Sequence, residues 1–250
     1  MPETGPAARR EHVDRGARTG IEARGGEGDT AGLDVVVLAG GTGRRLGGAS
    51  KPDVVARGGR LLDHVLRGLG ALDELLGAGR VVVVAPQEVA LPAGVLRALE
   101  DPPHGGPVAG VAAGMAALAH SDATACPRPA PLTALLTCDA PDSYHGLPAL
   151  LAAALAAPQR DGAVAVSGQG EDRHTQYLLG VYRTQRLRAV VAPDGRPLRD
   201  VAVHRTLGAL DVIELAEQGV RDASRDLDTW EDVRAWDAVG EGPSQDAPGR

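Results

Sequence analysis

An α/β architecture with a mainly parallel sheet covered on both faces is what this 250-residue sequence predicts, on three observations. Short β-branched runs alternate with stretches of helical period. The strongest of these runs are apolar without the in–out alternation of a sheet that has one wet face. They end at Gly, Pro or Asp, where the chain can leave the sheet.

Residues 1–32 mix Gly, Arg, Glu and Pro with almost no apolar periodicity, so they predict a tail that buries too little to offset the entropy of ordering it. Its acidic residues, Glu3, Glu11, Asp14, Glu22, Glu27 and Asp29, argue against an organellar transit peptide. Residues 33–39 read as the first buried strand. Leu62, Val65, Leu66, Leu69, Leu72 and Leu76 share one helical face and predict a helix over 61–76. Residues 81–85 and 132–138 are further buried strands, with a helix over 107–119 between them and another over 147–156. Weaker strands are expected at 163–166, 177–182 and 211–215, and a last helix at 229–236. Residues 239–250 form a second tail, leaving one domain over 33–238. In sheets of this kind ligands bind beyond the carboxyl ends of the strands, which points to the loops after Leu38, Val84 and Cys138.

Composition excludes several classes. With 26 basic against 33 acidic residues the formal charge is -7, so no general attraction to nucleic acid is expected. The two cysteines, Cys126 and Cys138, form no CxxC pair and no zinc-type cluster, which suits a reducing cytoplasm. The longest apolar runs fall short of a membrane span, and the N-terminus carries no signal-peptide core, so a soluble chain without a membrane partner is expected. Phenylalanine is absent, and the core must be built from Ala, Val and Leu.

The first strand runs into Leu38-Ala39-Gly40-Gly41-Thr42-Gly43-Arg44-Arg45-Leu46-Gly47-Gly48-Ala49-Ser50-Lys51-Pro52. A glycine-rich turn there lets backbone N–H groups approach a phosphate chain, while Arg45 and Lys51 can neutralise it. The P-loop pattern fails, because Lys51 follows Ser50 and precedes Pro52. The dinucleotide fingerprint fails too, since the position of its third glycine holds Leu46.

The segment resembles LAGGxxxRxG followed by Lys, the signature of the small nucleotidyltransferases, and within them of the molybdenum cofactor guanylyltransferase family. Four more segments follow in the family's order: 59–66; Glu100-Asp101 with Gly106-Pro107-Val108-Ala109-Gly110; Thr137-Cys138-Asp139-Ala140-Pro141; and Asp226-Leu227-Asp228-Thr229-Trp230-Glu231-Asp232. The resemblance implies a single Rossmann-like three-layer α/β/α nucleotidyltransferase domain. It implies GMP transfer from GTP to molybdenum-molybdopterin with loss of pyrophosphate and magnesium as cofactor; the sequence leaves the oligomeric state open, with a monomer favoured. Leu38, Ala39, Gly40, Gly41 and Asp101 would bind nucleotide together with Lys51 and Asp139. Arg45, Lys51 and Asp139 would be catalytic, and Asp139 and Asp228 would hold the metal.

The residues allow other roles at two of these positions. Asp101 precedes Pro102-Pro103 and can be a turn residue, and Asp228 or Thr229 can cap the last helix with Asp232. Cys138 reads as a small buried hydrophobe rather than a nucleophile. Departures from the family pattern are Val83-Val84-Ala85-Pro86 where several members have Asn, Ser50-Lys51 for Asp-Lys, and Asp226 and Asp228 for Asn. His174 stands where the family has its HPxxAL segment, here without the proline. The double glycine Gly40-Gly41 favours GTP over CTP. The alternatives are a cytidylyltransferase, a phospholactate guanylyltransferase, and a catalytically silent nucleotide-binding regulatory module.

Overall fold

The computed structural model describes residues 32–40, 48–77, 79–120 and 129–240. Gly41, Arg45 and Cys126 lie outside these, as do the expected tails except for residues 32, 239 and 240.

Seven strands form one sheet: β1 (Leu33–Leu38), β4 (Val81–Val84), β5 (Leu96–Ala98), β6 (Leu132–Thr137), β7 (Gly162–Ser167), β8 (His174–Arg183) and β9 (Val212–Leu215). Their order across the sheet is β5-β4-β1-β6-β8-β7-β9. Strand β8 runs antiparallel to β6 and β7, while the remaining neighbours are parallel. A small hairpin, β2 (Val55–Ala56) with β3 (Gly59–Arg60), stands apart from the sheet.

The unbroken apolar runs find their explanation in the layers. In β1, Val35 and Val37 join one core with Leu62, Val65, Leu147 and Leu150, from helices α1 (Leu61–Gly70) and α4 (Leu147–Ala156). Val36 faces the other way, into a second core with Val111, Met115, Leu187 and Val191, from α3 (Gly106–His120) and α5 (Thr184–Val191). With both faces covered, β1 shows no polar alternation, and its one charged residue, Asp34, is buried. Helix α3 lies close to the sheet because it is lined with small residues. A Cβ on Gly114 would fall 2.7 Å from a Val36 methyl, and one on Gly110 3.2 Å from a Leu38 methyl.

The expected helix over 61–76 is two helices, α1 and a short α2 (Asp73–Leu76), separated by a turn at Ala71–Leu72. Glycines 68 and 70 weaken the end of α1, while Leu72 and Leu76 keep the apolar spacing across the break. The hairpin, β5 and α5 were not anticipated, nor were the short helices α6 (Val203–Thr206) and α7 (Gln218–Ala223). These elements are too short or too polar to show a period. The last helix, α8 (Trp230–Gly240), extends two residues past the expected domain boundary at 238.

Pairing between β7 and β8 slips between Val164 and Ala165: Val164 faces Gly180, but Ala165 faces Gln176. Residues 177–179 therefore bulge from the ladder, and β6 pairs with β8 only as far as Leu135 opposite Gly180. The fully buried Tyr182 holds the bulge, its hydroxyl donating to the Tyr177 carbonyl at 2.6 Å. The slip opens a cavity beside the end of β6.

Candidate functional site at the carboxyl ends of the strands

Two cavities of about 340 and 360 Å³ meet at Thr137, Asp139 and Leu178. The first is lined by the bulge residues Tyr177, Leu178 and Leu179 together with Thr175, Gln176, Ser143, His204, Ser224 and Asp226. The second lies beyond β1 and β4 and is lined by Leu38, Gly40, Val84, Glu100, His104 and the start of α3 at Gly106, Pro107 and Gly110. The partial positive charge of a helix N-terminus thus faces the second cavity, where it suits an anion.

Asp139 stands between the cavities because β6 ends one residue before Cys138, whose N–H donates to the Leu38 carbonyl at 2.9 Å and holds the strand end in the sheet. The Asp139 carbonyl accepts from Leu227 N–H at 2.7 Å. That bond carries the 226–228 segment, more than eighty residues away in sequence, onto the same spot. The neighbouring helix is anchored by Trp236: its indole N–H donates to Asp142 at 2.6 Å, and the Arg57 guanidinium lies over its ring at 3.8 Å. Leu227, Val233 and Trp236 then pack with Val54, Ala56 and Leu61.

Lys51 opens a short 3₁₀ turn, Lys51–Asp53, set by the buried Pro52. Its ammonium donates to Asp139 Oδ2 at 2.7 Å and to Asp228 Oδ1 at 2.6 Å. Burial alone would lower its pKa, but the bonds to the two carboxylates outweigh this and hold it well above the usual lysine range. Asp226 opens onto the first cavity, yet enough protein surrounds it that desolvation, reinforced by the charges of Asp139 and Asp228, pushes its pKa up to about 7.

Asp228 is not the helix cap. Thr229 takes that role: its hydroxyl donates to Asp232 Oδ2 at 2.7 Å and accepts from Asp232 N–H at 3.1 Å, a reciprocal box at the helix end, while Asp228 turns toward Lys51. Cys138 is fully buried, and desolvation together with the Asp139 charge pushes its thiol far up, which suits packing rather than nucleophilic attack.

The structure thus brings together Leu38, Gly40, Lys51, Asp139 and Asp228 from the residues expected at the site. Ala39 is buried, with its N–H donating to the Val84 carbonyl at 2.9 Å, and it lines a shallower groove with Gly40, Ser50 and Pro86. Asp101 is exposed and lines neither central cavity; Glu100 lines the second one instead, with one carboxylate oxygen accepting from His104 N–H at 3.0 Å. His174 is exposed and lines neither cavity, whereas His204 lines the first. Where several family members have Asn, the loop after β4 is held by Arg97, which donates to the carbonyls of Pro86 and Val89.

Sequence reasoning assigned no role to Glu100, Ser143, His204 or the 175–179 segment. Glu100 stood within a quoted motif, and Asp226 was noted as a departure. Nothing in a sequence marks Ser143, a buried hydroxyl in the cavity wall without a hydrogen-bond partner among the described residues.

The donor set of Asp139 and Asp228 offers hard carboxylate oxygens, the chemistry that suits magnesium. One ammonium nitrogen reaches both, so a small cation placed between them could be shared in the same way. Among the described residues no group of three or more His, Cys, Asp or Glu side chains is already gathered around a common metal position. Nor is any helix among them long and apolar enough to cross a membrane.

Known proteins fit this picture. The model of the MobA-like NTP transferase domain matches residues 35–230. No curated protein gives a significant match. Among solved structures, the chain is similar to molybdopterin-guanine dinucleotide biosynthesis protein A from Archaeoglobus fulgidus, with a TM-score of 0.56 and 18% identity over 82% of this chain and 97% of that one. It is also similar to 2-C-methyl-D-erythritol 4-phosphate cytidylyltransferase from Thermus thermophilus, with a TM-score of 0.57 and 18% identity over 84% of this chain and all of the other (100%). At such identity the likeness speaks for the fold, and the family match over most of the chain for the class. With a carboxylate–lysine cluster at the switch between two cavities and a family model spanning the whole sheet, the chain belongs to the MobA-like NTP transferase domain family and is a nucleotidyltransferase.

Proposed function

We propose that this nucleotidyltransferase moves GMP from GTP onto the terminal phosphate of molybdenum-bound molybdopterin, with magnesium as cofactor. The observation that carries the reading is the meeting of two cavities at Asp139, one suited to each substrate. An acceptor phosphate oxygen attacks the α-phosphorus of GTP, the bond from that phosphorus to the bridging oxygen breaks, and pyrophosphate leaves. Lys51 neutralises charge on the phosphates, with Arg45 and the Gly40-Gly41 backbone expected beside it from the family pattern. Magnesium, held by Asp139 and Asp228, would supply further charge neutralisation at the reacting phosphates.

Glu100 supports guanine as the base. With one oxygen engaged by His104 N–H, its carboxylate can still accept from the paired N1–H and amino group of guanine. Cytosine and adenine present a ring acceptor at the equivalent place, which a carboxylate repels. Asp101 remains a nucleotide contact only by family pattern. A place in the cytoplasm, without nucleic-acid or membrane partners, fits the charge and composition.

A cytidylyltransferase is the second reading, supported by the likeness to the Thermus thermophilus enzyme. Pyrophosphate release measured with molybdopterin and either GTP, CTP or ATP separates the two: release with GTP is expected, and release with CTP alone would overturn the base assignment. Release with GTP and phospholactate but not with molybdopterin would move the acceptor. Nucleotide binding without release from either acceptor would replace the enzyme by a regulatory module.

A further inference from the structure

Lys51 sits where two facts conflict. The proposed chemistry needs it on the phosphates, yet in the structure its ammonium is bound to both carboxylates that would hold the metal, at 2.7 and 2.6 Å. Lys51 and Asp139 are largely covered, with 17% and 22% of their side chains exposed against 41% for Asp228, so water and salt screen the Lys51–Asp139 bond less than a surface pair and the Asp228 bond more. A divalent ion entering alone must displace that ammonium from both carboxylates, and Asp53, in the same 3₁₀ turn, is already bonded to Ser50 and Arg60.

We propose that Lys51 is a resident cation that reserves the Asp139–Asp228 pair, so that the divalent ion enters with or after the nucleotide and not before it. This rests on the nucleotidyltransferase site described above but not on the identity of the base. The triphosphate supplies the alternative partner: Lys51 moves onto the phosphates, and the two carboxylates pass to the divalent ion. The exchange also resolves the charge problem. Asp139, Asp226 and Asp228 together would repel a triphosphate, and replacing one monovalent cation by a divalent one beside them while Lys51 joins the nucleotide removes that repulsion on both sides. Lys51 is suited to such a move because its flexible stem carries a point charge that can leave one partner for another without the fixed fork of an arginine.

The test is Mn²⁺ binding, read by the loss of the free-ion electron paramagnetic resonance signal. In wild-type protein without nucleotide, weak binding is expected. The Lys51→Met protein, still without nucleotide, should bind Mn²⁺ at least ~10-fold more tightly, because a cation at the carboxylates then meets no competitor. Asp139→Asn in the Lys51→Met background should return binding to the wild-type level, which ties the gain to this site. Lys51→Gln guards against a folding defect in the methionine variant and should behave alike. Equal Mn²⁺ affinity in wild type and in both folded Lys51 variants would overturn the proposal, as would tight binding by the wild type. In a second arm, α,β-methylene analogues of GTP, CTP and ATP are added to the wild type, with the Asp139→Asn protein as the blank for ions bound by the analogue alone. A rise in site-bound Mn²⁺ with any analogue supports the proposal, and its pattern among the three tests the base separately. No rise with any of them overturns it. The nucleotide-free arm does not depend on GTP, so a wrong base assignment and a wrong role for Lys51 give different results.

Discussion

Adjacent strands β1 and β6 each bring an aspartate to an end of the same sheet, and the two are treated in opposite ways. At the amino end, Asp34 is 1% exposed and fully engaged: Arg80 donates to it from the guanidinium at 2.9 Å and from the backbone at 2.9 Å, and Ala130 N–H donates at 2.9 Å. At the carboxyl end, Asp139 shares one ammonium with Asp228, and Asp226 beside them is raised to about 7. A carboxylate surrounded by fixed donors fastens a fold. A carboxylate cluster whose charge exceeds its nearby cation has electrostatic capacity left for a ligand.

The largest expected difference between the two ends is in activity. Asp139→Ala should leave melting almost unchanged and reduce turnover by on the order of 10³-fold or more, measured as pyrophosphate release. Asp34→Ala should do the reverse, lowering stability by about 3–5 kcal/mol, because the half-buried Arg80 guanidinium loses this carboxylate and Ala130 N–H loses its acceptor. Denaturant melts read this loss, and specific activity at low temperature should stay near wild type. If both variants lost stability equally, the contrast between the ends would collapse.

A smaller effect sharpens it. In chelator-treated protein the folded chain binds a proton at Asp226 more tightly than the unfolded chain does, since the pKa rises from 3.8 to about 7 on folding. The protonated side chain is tolerated below about pH 4. As the pH rises through 7 the ionised group becomes a cost, so stability falls over that window. Asp226→Asn should therefore raise the unfolding free energy at pH 8, by about 1 kcal/mol after allowing for water at the cavity mouth, and leave it unchanged at pH 4. The smallest expected effect is at Ser143. Ser143→Ala should raise the acceptor KM by a factor of about 2–5 with the GTP KM unchanged, because its hydroxyl, in the wall of the first cavity, has no partner among the described residues and is left for the acceptor.

The long buried strands β1, β4 and β6 were legible because apolar runs bounded by Gly, Pro or Asp leave few alternatives. Lys51, Asp139 and Asp228 were legible through motif order, but only Asp139 follows a strand of the sheet; Lys51 comes from a 3₁₀ turn and Asp228 from the segment before α8, which the Leu227 N–H bond to the Asp139 carbonyl carries to the site. The rest lay outside what a local pattern can carry. Asp34 sits inside an apolar run, and its partners, at positions 80 and 130, are recognisable only once the chain has folded. The slip between β7 and β8, which opens the first cavity, depends on pairing across strands and leaves no period behind. Asp101 and Glu100 are neighbours in one motif, and only the course of the backbone after β5 decides which of them lines the second cavity.

By itself, then, the sequence determined the class of fold and the places where strands must end, because burial on both faces and the turn residues at strand ends act locally. Whether Asp228 caps a helix or turns to the site was decided by tertiary structure. Thr229 and Asp232 satisfy the helix end between themselves, and Leu227 N–H on the Asp139 carbonyl brings Asp228 within reach of Lys51. That choice is a competition between hydrogen bonds near in sequence and charges brought together from 177 positions away, and only the folded chain holds both alternatives at once.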